Sequence, residues 1–538
     1  MLFCLVFVNA AFAGQIVNVE YIHNFIQQRW GVTIPYNAAL TNPYVVANME
    51  YLLTAVDVTN AILNEQQITN WGTSEYATKQ IADTVATAEA INKLVKPLGI
   101  EYPFGVSTTQ TETFEFDISA KGDFVIDWGD GDVQVISKPD TTNTTYDHTY
   151  DTASTYLIKI KGTATGYSRD STTAAISFNK NTNVSSIFGS VGQVFPTLAN
   201  GENPKFYYAF ADLTNVSGGI PSELFSGITG SPSKNMFYGT FYGSTGFNGT
   251  ISGSLFSGLN GAPTEGVFYR TFEKCTGLTG AIPSNLFAGI YGPPARDMFH
   301  ATFSGCSGLT EIQGALFGGI FGAPAQRMYN ATFSGCSGLT GTIPNGLFGK
   351  FNGPPQELMF GNTFFSCDKL TGSIPGDLFA GISGAPAKRM FEGTFNICSG
   401  LNGSLSPELF ADISGAPAEK MFYNTFAGCS NMTGVIPSGL FARIYGDVAP
   451  QIFYRTFYNC QNLTAIENGV FGNLGGSAQN QMFSEMFYRG YALRGDSAKI
   501  GDKYFYEIWP DATKNQVGAM YMGATELSDY ADIPSVWK

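Results

Sequence analysis

Residues 328–358 read MYNATFSGCSGLTGTIPNGLFGKFNGPPQEL, and the chain repeats this sentence ten times. The copies open at Lys205-Phe206, Met236-Phe237, Val267-Phe268, Met298-Phe299, Met328-Tyr329, Met359-Phe360, Met390-Phe391, Met421-Phe422, Ile452-Phe453 and Met482-Phe483. They are spaced 31, 31, 31, 30, 31, 31, 31, 31 and 30 residues apart. A fixed period of about 20–50 residues is the signature of a solenoid, in which each unit packs only on its neighbours.

Within the quoted copy, Met328, Tyr329, Thr332, Phe333 and Cys336 recur at i, i+1, i+4, i+5 and i+8, which predicts one face of a short helix. Leu339-Thr-Gly-Thr-Ile343 favours extended backbone and Pro344 ends it. Leu347, Phe348 and Phe351 suggest a second helical turn, and Gly353-Pro-Pro breaks it. One copy cannot bury its own Phe, Leu and Met, but stacked copies share a continuous column worth about 1.5–3 kcal/mol per large side chain. The two 30-residue copies, at Leu309-Thr-Glu-Ile312 and Leu463-Thr-Ala-Ile466, lack the Gly of Leu339-Thr-Gly-Thr-Ile343. That Gly reads as a bulge in a parallel strand.

The phrase F-x-x-C-x-x-L-T, as in Phe333-Ser-Gly-Cys336-Ser-Gly-Leu339-Thr, resembles the BspA-like leucine-rich-repeat surface proteins of bacteria. Met236-Phe with Thr240-Phe-Tyr-Gly-Ser244-Thr-Gly-Phe247-Asn is similar to the related "MF…at.fN" repeats of bacterial surface lipoproteins. The resemblance covers over half the chain and implies an α/β leucine-rich-repeat-like solenoid over residues 205–490. These families share a scaffold and a location rather than a chemistry.

Composition agrees with a secreted scaffold rich in tight turns. Of 538 residues, 13% are charged and 63 are Gly, against about 25% charge in ordinary soluble chains. The net charge of −14 argues against nucleic acid and anionic membranes, which call for Lys and Arg clusters. Apart from Cys4, every cysteine sits at one repeat position: Cys275, Cys306, Cys336, Cys367, Cys398, Cys429 and Cys460. Ser244 and Leu213 take that position in the first two copies. An odd set at one equivalent site is no disulfide framework. It reads as an inward ladder of free thiols acting as small hydrophobes, with metal binding the rival reading.

Residues 1–13, MLFCLVFVNAAFA, form an apolar run ending Ala-Phe-Ala, the pattern of a signal-peptidase site, though without a basic start. No later run reaches the length of a membrane span. Residues 14–100 show helical spacing, as in Ala55-Val-Asp-Val-Thr-Asn-Ala-Ile-Leu, and predict a small helical domain. Residues 101–168 alternate as strands do, in Thr113-Phe-Glu-Phe-Asp-Ile and Phe124-Val-Ile-Asp-Trp128. The order Trp128-Gly-Asp-Gly131, His148-Thr-Tyr150, Tyr156-Leu-Ile-Lys-Ile160 resembles the PKD-like β-sandwich domains of bacterial surface proteins. Asp127, Asp130 and Asp132 are candidate calcium ligands; the alternative is that Asp and Gly serve the turn. Residues 169–204 and 491–538 are expected to cap the solenoid, the latter with a degraded copy at Tyr521-Met-Gly-Ala-Thr-Glu-Leu527.

Catalytic sets are not apparent. His23, His148 and His300 fall in separate segments, and Glu311, Glu392 and Glu408 occupy three different repeat positions, so neither a triad nor a glycosidase pair assembles. The third repeat position reads Tyr207, Tyr238, Tyr269, His300, Asn330, Gly361, Glu392, Tyr423, Tyr454 and Ser484. Lying between apolar positions, it is expected to face outward. Tyr207, Tyr238, Tyr269, Tyr423 and Tyr454 then form a candidate binding file for protein or glycan, unless they merely cover neighbouring turns. The function expected is that of a secreted or cell-surface binding and adhesion protein. A self-assembling surface-layer or filament protein is the alternative, and a polysaccharide-active enzyme the least favoured.

Overall fold

The computed structural model describes residues 102–110, 113–179, 181 and 183–538; the leader expected at 1–13 and the helical domain expected at 14–100 lie outside these described residues. Among the described residues regular structure is mostly strand, with few and short helices and no closed barrel. Ahead of the repeats run β1 (Phe104–Gln110), β2 (Thr113–Ile118), β3 (Lys121–Asp127), β4 (Val133–Lys138), β5 (Thr144–Thr149), β6 (Ser154–Gly166), β7 (Ile176–Ser177) and β8 (Val184–Gly189). Two compact units emerge. The first holds the described residues 102–105 with Asp123–Ser137 and Tyr156–Gly162; the second holds Val106–Gly122, Lys138–Thr155 and Thr163–Lys538.

In the first unit β4, β3 and β6 lie side by side in that order. Phe124, Ile126 and Trp128, at every second residue, are buried along with Ile158 and Ile160, the two-residue alternation of a sheet face. In the second unit β2 is flanked by β5 and β7, both antiparallel to it, with Asp117 opposite Thr145 on one side and Ser177 on the other.

The ten repeats, all within the second unit, stack coil on coil. Their first segment corrects the sequence-based expectation, since no α-helix forms anywhere in residues 205–490. Met328–Cys336 is a row of successive turns in which φ turns positive at every fourth residue: Arg327 at 53°, Ala331 at 56° and Gly335 at 73°. The amides alternate. Asn330, Thr332, Ser334 and Cys336 donate to the carbonyl three residues back, while Tyr329, Ala331, Phe333 and Gly335 donate to Met359, Gly361, Thr363 and Phe365 of the next coil. Each of these amides is therefore used once, half locally and half between coils, so a segment without helix or strand still satisfies its backbone. The apolar spacing is an exact four, not 3.6, and over eight residues the two periods place the same side chains on one face.

Positive φ costs an L-residue roughly 1–2 kcal/mol, which explains the Gly just before three of the seven repeat cysteines, at Gly305, Gly335 and Gly428. Ile397 holds the equivalent place at φ 62° with its side chain 45% exposed. A β-branched residue there is strained and buries little. Ile397→Gly is expected to raise stability by about 1 kcal/mol, read as a higher denaturant midpoint at unchanged slope. A lower midpoint would contradict the strain.

Three columns of rings fill the interior. Phe206, Phe237, Phe268, Phe299, Tyr329, Phe360, Phe391, Phe422, Phe453 and Phe483 stack with centroids 5.4–6.2 Å apart. A second column runs from Phe210 to Phe487 at 5.4–5.8 Å. A third runs from Phe225 to Phe471 at 5.7–6.4 Å. Tyr329 is the one hydroxylated ring in its column, fully buried, and its hydroxyl finds no partner. An unmet buried hydroxyl costs about 1–3 kcal/mol, so Tyr329→Phe is expected to stabilise by roughly 1 kcal/mol and raise Tm. A fall in Tm would mean the hydroxyl has work in the core.

Extended pairing follows the first segment. Leu309–Ile312 lies parallel to Gly280–Ile282, and Leu463–Ile466 to Gly434–Ile436, each with a register shift. Both shifts fall where a 31-residue copy meets a 30-residue one: the register steps over Thr310 and Thr464, while Gly280 and Gly434 pair with Leu309 and Leu463 at φ of 76° and 82°, a conformation glycine adopts without penalty. At one end, Ala175 and Phe178 donate their amides to Lys205 and Ala209 of the first coil. At the other, Gln481, Phe483, Glu485, Phe487 and Arg489 donate to Asn515, Gln516, Gly518, Met520 and Met522.

Candidate functional site

Because the turn row buries residues in adjacent pairs with two less buried residues between them, the third repeat position emerges beside the buried rings. The expected outward file exists, but its rings are half-buried and lie face to face. Tyr207 and Tyr238 are 4.9 Å apart, Tyr238 and Tyr269 4.3 Å, Tyr269 and His300 4.4 Å, and Tyr423 and Tyr454 4.9 Å, all stacked. Tyr454 is only 8% exposed. Ring faces are thus spent on each other, and the surface receives edges and hydroxyls. Burial, with Tyr269 beside it, pushes the Tyr238 phenol up, so it is a protonated donor at neutral pH.

The file is split. Asn330, Gly361 and Glu392 interrupt it, leaving one patch at each end. Sequence reading missed the neighbours that complete these patches, because they sit at the fourth, seventh and eighth repeat positions, where residue type varies. Tyr208 lies edge-on to Tyr207 at 5.0 Å and to Tyr242 at 5.6 Å. It has room because the next coil carries Gly239, where a Cβ would fall 2.6 Å from the Tyr208 ring. The Arg270 guanidinium lies 5.3 Å from the Tyr269 ring, and Lys274 donates to the Tyr242 hydroxyl at 2.7 Å. In the other patch Arg455 lies 5.0 Å from both Tyr454 and Tyr458 and makes a two-pronged pair with Glu485 at 3.0 and 2.9 Å. Tyr458 stacks on Tyr488 at 4.8 Å.

At the end of the first patch Asp297 is nearly buried. Arg327 grips it twice at 2.8 Å, and His300 Nδ1 lies 3.4 Å away. Burial pushes its carboxyl up, but His300 and Arg327 outweigh burial and hold it at about 2. A carboxyl depressed on folding stabilises fully above its unfolded value near 3.8, and that contribution is lost as pH falls through about 4 towards 2. Asp297→Asn is expected to flatten the acid limb of the stability curve by about 2 kcal/mol between pH 5 and 2. Unfolding curves for both proteins across that window check it; parallel curves would refute it.

The cysteine ladder, Cys275 to Cys460, is free and buried throughout. Each thiol points at a carbonyl of the preceding coil: Cys336 at Phe303, 3.0 Å, and Cys367 at Phe333, 3.0 Å. Burial pushes the Cys336 and Cys460 thiols up to about 12, which keeps them protonated donors. The signal for this donor role was Ser244, whose hydroxyl makes the same bond to Phe210 at 2.6 Å. Thr332 and its equivalents do likewise, as Thr363 does to Tyr329 at 3.0 Å. The Met at the head of most coils is an acceptor: its sulfur receives the amide three residues earlier, as Met359 does from Gln356 at 3.2 Å.

Of the calcium candidates, Asp127 stands apart, while the Asp130 and Asp132 carboxylates lie within 4.8 Å of each other. Asp127 is buried, accepting from the Gly129 amide at 3.0 Å and from Lys159 at 3.2 Å. Asp130 and Asp132 are exposed, with the Asp130 carboxylate receiving the Asp132 amide at 3.0 Å. These bonds fit the turn role of the Trp128-Gly-Asp-Gly131 stretch.

An open pocket of about 310 Å³ adjoins the first tyrosine patch, walled by Asp117, Asn143, Thr172, Thr173, Ala174, Ser177, Asn179, Tyr207 and Tyr208. Among the described residues no helix is long and apolar enough to cross a membrane. Comparison with protein-family models, with curated proteins and with solved structures finds no match for the chain.

Proposed function

We propose that the chain is a secreted or cell-surface binding protein, whose leucine-rich-repeat-like solenoid holds tyrosine patches rigidly for recognition of a protein or glycan. No covalent chemistry is part of this reading. The observation that carries it is the unbroken stack of Tyr207, Tyr238, Tyr269 and His300, which lines up ring edges from successive coils. Such rings carry large contact area with little side-chain entropy left to lose, the property of binding hot spots. Flanking Arg270 and Lys274 add hydrogen-bond donors. The resemblance to bacterial surface proteins supports the location.

An array of glycans and extracellular-matrix proteins probed with the full chain tests this reading. Binding is expected to fall roughly tenfold or more, about 1.4 kcal/mol, when Tyr238 and Tyr269, or Tyr423 and Tyr454, become Ala. A blank array, or binding indifferent to both pairs, would remove the reading. The alternative, self-assembly, draws on a different observation. Tyr291 and Phe321 sit at equivalent places in adjacent coils, 48% and 52% exposed, with Tyr445 at 55% further along. Concentration-dependent growth in light scattering that disappears in Tyr291→Ser with Phe321→Ser would favour it.

A further inference from the structure

We propose that the pocket at the start of the tyrosine file is a subsite for a single neutral sugar ring, a reading that rests on, and narrows, the binding role above. Its size sets the first bound. About 310 Å³ lies at the low end of small-molecule sites, room for one ring rather than a peptide side of several residues. Its wall sets the chemistry. No Lys or Arg lines it, so nothing there would neutralise a phosphate or carboxylate ligand. One carboxylate lines it, Asp117, which already receives the Asn143 amide at 3.1 Å and the Thr145 hydroxyl at 2.6 Å. One engaged carboxylate is a poor cage for a divalent cation. The remaining polar wall is amides and hydroxyls, among them Asn143, Thr172 and Asn179, which offer donors and acceptors together. A polyol presents both on every hydroxyl.

The aromatic wall completes the match. Tyr207 is the terminal ring of the file, with Tyr238 stacked on it at 4.9 Å and Tyr208 standing perpendicular at 79°. Two rings at right angles give a C–H face of a pyranose one surface to lie on and another to abut. The site is also held in place before any ligand arrives. Asp117 lies on β2, between β5 and β7, and Asn143 immediately precedes β5. Asn179 follows β7 by two residues, and Phe178 between them is tied to Ala209 by a 2.7 Å backbone bond. Preorganised groups lose little entropy on binding. A glycan seated by its end sugar would leave along the edges of Tyr207, Tyr238 and Tyr269, so pocket and file would read one chain.

The test uses the full-length protein and a panel of methyl glycosides of glucose, galactose, mannose and N-acetylglucosamine, followed by saturation-transfer NMR. At least one is expected to bind in the millimolar range. Tyr207→Ala and Asn179→Ala are each expected to weaken it at least roughly tenfold, while Tyr207→Phe keeps the ring and most of the binding. Melting curves confirm that the variants fold, and Asn179, being exposed, is the safe one. No transfer from any glycoside, or binding unchanged in both pocket variants, overturns the subsite. An arrayed glycan that loses binding with Tyr423→Ala and Tyr454→Ala but not with Tyr207→Ala also overturns it, and leaves the wider binding role standing. A glycoside that depends on Tyr207 beside a blank array upholds the subsite and removes the extended surface.

Discussion

Truncating Phe360 to alanine is expected to cost about 3–5 kcal/mol, the range for a fully buried Phe. Its ring is 0% exposed and meets five others: Tyr329, Phe348, Phe351, Phe379 and Phe391, at 4.6–6.3 Å. Two of these, Tyr329 and Phe391, are its own column in the coils on either side, Phe348 and Phe351 also belong to the preceding coil, and Phe379 belongs to its own, so the cavity would open at the seam between neighbours. In a stack of units, stability is a sum of unit and interface contributions. Weakening two adjacent interfaces mid-chain is therefore expected to split the unfolding transition, whereas the same change at Phe206, next to the first cap, should shift one end only. Thermal melts followed by circular dichroism and by tyrosine fluorescence check this. A loss below about 1 kcal/mol would mean that the coils do not depend on each other through their rings.

The period and the buried set were legible because each is written many times, whereas the extended stretch after the cysteine pairs as a strand only behind Cys275, Cys306, Cys429 and Cys460 and not at Leu339–Ile343. Phe333, Cys336 and Leu339 recur at fixed places, and all are buried. The conformation of the first segment was not legible, for a definite reason. A four-residue turn row and a 3.6-residue helix bury the same positions over Met328–Cys336 and diverge only beyond that length. The discriminating clue lay in the residues off the face: Gly243, Gly305, Gly335 and Gly428 hold one place in four of the ten coils, and a helix interior has no use for glycine there. Polar roles inside the core were half legible. Ser244 in place of Cys, and a Thr four residues before it in all but the first and last coils, marked positions that need a donor rather than an apolar group. The sulfur of Met359 as an acceptor left no trace that Leu would not also leave.

The tyrosine file shows the same limit at the surface. Sequence identifies which residues share a repeat position, so Tyr207, Tyr238 and Tyr269 were found together. It does not say how far apart successive coils lie. At 4.3–4.9 Å the rings must stack, and their faces are then unavailable to a partner except at an end. The pocket beside Tyr207 was invisible, because most of its wall lies outside the repeats, and two of its residues, Asp117 and Asn143, come from some sixty to ninety residues earlier.

Removing residues 496–538 is expected to turn a well-behaved chain into a concentration-dependent assembly. Five amides of the last coil, at Gln481, Phe483, Glu485, Phe487 and Arg489, find their acceptors in that segment. All three ring columns end on it: Phe487 stacks on Tyr521 at 5.7 Å, Phe483 meets Phe505 at 4.8 Å and Trp509 at 5.1 Å, and Phe471 meets Phe505 at 4.9 Å. Without the segment, a coil end would present unpaired amides beside bare aromatic rings, the two features that make a strand edge recruit another chain. Light scattering on the truncated and full chains, over the same concentrations, reads the difference. A truncated chain that stays monomeric with an unchanged melt would show the last coil sufficient by itself. A milder version, Trp537→Ala, empties a fully buried site whose backbone carbonyl holds the Tyr521 amide at 3.0 Å. It is expected to loosen the segment by about 3–5 kcal/mol without exposing the rings permanently. The comparison bears on function. With the segment in place, end-to-end growth has no free coil face at that end, so assembly by the intact chain would have to run through lateral contacts such as Tyr291 and Phe321. Recognition through the tyrosine patches needs no such opening.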